Sequence, residues 1–147
     1  MKNSILFIAF ILLASCQTGV EKKPIEGTWK LITGKIIKGT DTVCTDYTKG
    51  QKLIKIINGS HFSFVRHDLN KGKDSSAVFV AGAGAYTYDG GIYKEQLEFC
   101  TGRAWEGNEF EFNVRIQGDT LIQQGIEEIA SENVRQEIVE TYVRIKT

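Results

Sequence analysis

One proline, two histidines and three cysteines are all that this sequence of 147 residues holds of those types, and each scarcity excludes something. His61 and His67 are the only histidines. A structural or catalytic zinc needs three or four converging ligands, and no Cys/His/Asp cluster at ligand spacing supplies them, so no metal is expected. Charge of one sign is missing as well. Lys and Arg number 18 against 18 Asp and Glu, with no basic block or stripe, so nucleic acid is not an expected partner. There is no Gly-x-Ser-x-Gly elbow for a nucleophile. "GAGAY" (82–86) is rich in glycine, but no helix follows it, and a phosphate loop needs one. No catalytic residue and no cofactor are therefore expected.

Long hydrophobic runs are also absent, with one exception. Ile5 to Ala14 is apolar or nearly so, about half of the roughly 20 residues that a helix needs to cross a bilayer. Lys2 precedes the run and small residues follow it, the layout of a secretory signal. Leu13-Ala14-Ser15-Cys16 resembles the bacterial lipobox, where a signal peptidase cuts before a lipid-modified cysteine. That resemblance implies that Cys16 becomes the acylated N-terminus and anchors the protein to a membrane. Two or three acyl chains hold stably where one is marginal. Residues 1–15 then form a lipoprotein signal peptide, 16–24 a lipidated tether ending at Pro24, and 25–147 a single domain. The expected location is the bacterial cell envelope. Gln17 and Thr18 carry no inner-membrane retention aspartate of the enterobacterial kind, which favours the outer membrane.

The domain reads as β almost throughout. In "EFEFNVRIQ", Phe110, Phe112, Val114 and Ile116 alternate with Glu109, Glu111, Asn113 and Arg115, the period of a half-buried strand. Eight strands are expected near 28–38, 51–57, 61–66, 77–88, 92–99, 109–117, 120–126 and 133–145. "INGSH", "YDGG" and "QGDT" carry tight-turn chemistry. The remaining connections, 39–50, 67–76, 100–108 and 127–132, are long, and "IEEIASENV" (126–134) hints at one helical turn. Short and long loops thus alternate, which places tight hairpins at one end of an up-and-down meander and long loops at the other. Eight antiparallel strands closed on themselves make an interior that side chains just fill, or that holds one small ligand.

"IEGTWKLI", with Gly27-Thr28-Trp29 opening the first strand, resembles the Gly-x-Trp signature of lipocalin barrels. Together with "GAYTYDGGIYKEQLEF" and "GDTLIQQG" it is similar to the lipocalin-like domains of Bacteroidetes secreted proteins and lipoproteins. The resemblance implies an eight-stranded calycin-type barrel whose Trp29 plugs the closed end and pairs with an arginine, here Arg144. Against that pairing, Val139, Val143 and Ile145 form the more apolar face of the last strand, which would turn Arg144 outward. "CTDYTKG" (44–50) holds Thr-Asp-Tyr, but too early in the chain to be the lipocalin motif of that kind.

The candidate barrel lining is Tyr86, Tyr93, Glu95, Leu97, Phe99, Phe110, Phe112 and Val114. Among these Glu95 is the exception. A carboxylate on an interior face must be paired, or its pKa rises until it is neutral. A partner within the barrel is the plain reading; a ligand-orienting group or a general base is the other. A lipid-anchored protein that binds a small apolar or amphipathic molecule is the favoured function. An enzyme on the same scaffold using Glu95, and a fully packed barrel serving as an envelope interaction module, are the alternatives.

Once Cys16 is taken by lipid, Cys44 and Cys100 remain, both expected at the open end. In an extracytoplasmic compartment they could be bridged. Such a bridge would tie the first long loop across the mouth and contribute about 4 kcal/mol by chain entropy. Two unrelated thiols are the alternative.

Overall fold

The computed structural model describes residues 22–146. The expected signal peptide, Cys16 and the first part of the tether lie outside them. Nine strands follow one another: β1 (Gly27–Lys38), β2 (Asp41–Asp46), β3 (Gln51–Ile57), β4 (His61–Asp68), β5 (Phe79–Asp89), β6 (Ile92–Cys100), β7 (Glu109–Gln117), β8 (Thr120–Ile129) and β9 (Val134–Arg144). Neighbours from β3 to β9 pair antiparallel in sequence order. β1 pairs with both β3 and β9, which closes an eight-stranded antiparallel barrel. The all-β, up-and-down architecture is therefore the one the alternating pattern implies.

β2 is the ninth strand, and it occupies residues expected to be a loop. β1 is long enough to serve two partners along one edge: residues 27–30 pair with β3, and residues 33–38 pair with β2. The expected loop 127–132 is half strand. β8 runs on to Ile129, and a 3-10 turn over Ala130–Glu132 closes the hairpin through Asn133, whose φ is 52°. Of the tight turns, Gly90 and Gly91 have φ of 54° and 91°. Positive φ at both central residues is what a two-residue hairpin with the native twist demands.

The closed end is a packed core. Trp29, Tyr93 and Tyr142 are fully buried there with Phe62, Phe112 and Leu121, and Ile25 seals them from below. The Trp29 indole Nε1 donates to the Ile25 carbonyl at 2.8 Å. Arg144 lies on β9's inward face with Tyr142, Glu140 and Ile138, while Val143 and Ile145 are exposed, the reverse of the more apolar choice. Pairing register decides this, because Trp29 stands directly opposite Arg144.

Two bulges change which side chains face inward. In β6 the pairing with β5 slips between Leu97 and Phe99, and a single inserted residue reverses the alternation beyond it. Phe99, expected in the lining, is consequently turned out and 65% exposed, and Cys100 points in instead. Gly84, opposite the slip, leaves no room for a Cβ because the Gln96 carbonyl occupies that space. A second slip in β1 between Leu31 and Thr33 brings Gly34 inward, where the Tyr47 ring lies against it.

Candidate functional site

A cavity of about 520 Å³ opens at the end opposite Trp29. Volumes of a few hundred Å³ with mixed apolar and polar walls are typical of small-molecule sites. Its apolar wall comes from Leu53 on β3, Phe64 on β4, Leu97 on β6, Phe110 and Phe112 on β7, and Ile138 on β9. Trp105, in the 3-10 turn Arg103–Trp105 between β6 and β7, leans over Phe110 with 5.9 Å between ring centres. Tyr47 stands at the rim, with the Arg66 guanidinium 5.3 Å from its ring centre. Burial raises the Tyr47 pKa above the ordinary tyrosine value, and the Arg66 charge opposes that rise.

The floor is polar. Lys55 on β3 points inward, 4% exposed, and its Nζ donates to Glu95 Oε1 at 2.6 Å and to Gln123 Oε1 at 3.0 Å. The same ammonium stands 5.4 to 5.8 Å from the ring centres of Phe62, Tyr93 and Tyr142. Glu95 is thus paired inside the barrel by a cation from the far strand. Two further carboxylates face the cavity from neighbouring strands, Glu127 on β8 and Glu140 on β9. Glu127 accepts from Gln136 Nε2 at 2.7 Å, and Glu140 accepts from the Tyr142 hydroxyl at 2.6 Å. Burial pushes Glu127 up to about 7, with the Glu140 and Glu95 charges adding to the rise and Gln136 and Lys55 opposing it. Burial raises Glu140 too, against the pull of Lys55 and of its bond from Tyr142. Beneath the floor the Tyr93 hydroxyl is sealed off with no hydrogen-bond partner among the described residues. Burial first, and then the neighbouring Glu95 charge, hold its proton on far beyond the ordinary range.

The expected lining residues therefore divide. Glu95, Leu97, Phe110 and Phe112 face the cavity. Tyr86, Tyr93 and Val114 belong to the packed core below it, and Phe99 is outside the barrel. Cys100 lines the mouth, whereas Cys44 sits exposed on β2, paired in register with Lys35 of β1. Both are free thiols, as in the alternative of two unrelated cysteines, and the possible bridge is not formed. The first long loop, being a strand, keeps Cys44 at the edge of the sheet instead of carrying it across the mouth.

Lys55, Gln123, Glu127 and Glu140 escaped the reading of the sequence. In "QKLIKII" the outward residues Ile54 and Ile56 are as apolar as the inward Leu53 and Ile57, so alternation alone could not say which way Lys55 pointed. Counting back from the Asn58 turn could have done so. Asn58 Oδ1 accepts from the backbone N–H of Ser60 and of His61 at 2.9 and 2.8 Å, which fixes the register of β3 against β4.

The geometry defines a closed eight-stranded barrel with one open end and a charged, aromatic-walled cavity. No protein-family model, no curated protein and no solved structure matches the chain.

Proposed function

We propose that this protein holds a small amphipathic molecule in its barrel and acts as a binder, not an enzyme, in the manner of lipocalin-like lipoproteins. The observation that carries the reading is the cavity of about 520 Å³, lined by apolar and aromatic side chains together with a few charged ones. A fully packed barrel serving only as an interaction module would have no such space. An acid–base role for Glu95 is disfavoured because Lys55 holds it at 2.6 Å in the interior. The lipobox resemblance at Leu13-Ala14-Ser15-Cys16 supports a lipid anchor at Cys16 and a place in a bacterial envelope, with the outer membrane favoured by Gln17 and Thr18. The described chain enters at the closed end, where Lys23 Nζ donates to the Gly59 carbonyl at 3.2 Å. Such an anchor would leave the mouth facing away from the membrane.

Native mass spectrometry of the protein purified from its own host tests the binding reading. A stoichiometric mass above that of the acylated chain, released on denaturation, is the expected result. Only the bare acylated chain, from several growth conditions, would overturn it. The anchor is tested separately: Cys16→Ala is expected to leave the membrane fraction, and a mature, membrane-bound variant would contradict it.

A further inference from the structure

The charges around the cavity do not balance. The groups facing Glu127 or Glu140 are Lys55 of β3, Glu95 and Tyr93 of β6, Gln123 of β8, Gln136 and Tyr142 of β9, and Tyr47 between β2 and β3. Three carboxylates share one ammonium there, and that ammonium is already committed to Glu95 and Gln123. Arg66 is the other cation on the cavity wall, but it is turned to the rim, donating to Gln51 Oε1 at 2.7 Å and stacked on Tyr47. Glu127 and Glu140 each accept one hydrogen bond through Oε2 and none through Oε1 among the described residues. Burying like charges without a counter-charge is costly, and the protein meets that cost at these two positions by holding protons more tightly. The Tyr93 hydroxyl, buried beside Glu95, lies beneath the floor and off the cavity wall, so it brings no further charge to the cavity. Among the described residues no three acidic, histidine or cysteine side chains converge closely enough to hold a metal ion. The missing charge therefore fits an organic cation better than a bare one. Beside the acidic wall, Phe64, Phe110 and Trp105 give the same cavity an apolar and aromatic surface.

We infer that the ligand of this cavity is an amphipathic amine, its ammonium drawn to the wall that carries Glu127 and Glu140 and its apolar body lying against Phe110 and Trp105. The inference rests on the binding reading above and names its chemical class. A fatty acid of the same size would bring a fourth carboxylate into the cavity, where the cations are Lys55, already committed to Glu95, and Arg66, turned to the rim. An alcohol of the same size would gain the apolar contacts without the charge.

Three probes matched in length separate these cases: decylamine, decanol and decanoate, titrated calorimetrically into the full chain near pH 8. The amine is expected to bind at least about tenfold tighter than the alcohol, a difference of one decade in Kd. The combined Glu127→Gln and Glu140→Gln variant is expected to lose that preference while its affinity for decanol stays within about twofold. Decanol or decanoate binding as tightly as the amine would overturn the amine inference and leave the binding reading standing. Failure of all three to bind would overturn both. Should the double variant not fold, the wild-type protein still decides. The amine-to-alcohol preference is expected to shrink severalfold between about pH 8 and pH 5, as Glu127 takes up its proton with an affinity near 7. A preference that does not change with pH would refute the part assigned to that wall.

Discussion

The Arg144 guanidinium lies 4.0 Å from the centre of the Trp29 ring, and its two terminal nitrogens donate to the carbonyls of Glu26 and Pro24 at 2.6 and 2.8 Å. One side chain thus joins the last strand to the plug of the first and to the segment leading into it. Gly27, at φ 147°, has a backbone conformation that other residues rarely adopt, and a Cβ there would also displace the Arg144 guanidinium. Arg144→Ala is expected to lower unfolding stability by about 2–4 kcal/mol, summing a cation–π contact and two charge-assisted bonds. Denaturant melts check this, and Arg144→Lys should recover less than half of the loss. A loss below about 0.5 kcal/mol would mean that the plug holds without the arginine.

Lys55→Met leaves Glu95 buried without its cation, which typically costs about 3–5 kcal/mol. The double variant Lys55→Met, Glu95→Leu removes both charges and should regain most of that stability. Equal instability of the single and double variants would show that packing, not the unpaired carboxylate, sets the cost.

Glu127 is held near 7 by burial, well above its usual carboxylate value of 4.5. A carboxyl whose pKa is raised on folding binds its proton better in the native state, so its cost is absent below about 4.5 and complete above about 7. Stability should therefore fall as pH rises through that window, by about 1–3 kcal/mol from this group after allowance for its partial exposure. The test is the difference between wild type and Glu127→Gln, in which other titrations largely cancel. The variant should gain on the wild type between pH 5 and pH 8. A constant difference would place the Glu127 pKa at its ordinary value.

Cys44 and Cys100 should both be alkylated without prior reduction when the protein is unfolded, as peptide mapping would show. In the folded protein the exposed Cys44 should react faster than Cys100, which lines the mouth. A disulfide-linked peptide pair would contradict the placement of β2.

The barrel was legible in the sequence because turn residues edge its strands and the clearest of them alternate over most of their length. "EFEFNVRIQ" coincides with β7, which buries Phe110, Phe112 and Val114 as the alternation requires. β2 was not legible, since "DTVCTD" exposes nearly every residue and so carries no apolar face to read. Phe99 went astray for a different reason. A bulge costs no change in composition, yet it inverts every side chain after it. The polar floor was hidden because the members of each interaction come from strands far apart in the chain, Lys55 with Glu95 and Gln123. No local pattern announces a pair 40 residues apart.

The seam between β1 and β9 has a consequence in time as well as in space. Each hairpin of this barrel joins neighbours, and hairpins form in microseconds. The seam instead joins Trp29 to Arg144 and Ile37 to Glu137, some hundred residues apart. During synthesis the first strand is thus completed long before its last partner exists. Until residues 134–144 emerge, one edge of β1 and one edge of β8 carry unsatisfied backbone groups, the arrangement that invites pairing with other chains. Closure of that loop, not any single hairpin, is the step expected to set the rate at which the barrel forms. A chain cut short before Val134 would stay an open sheet with two sticky edges, and no cup.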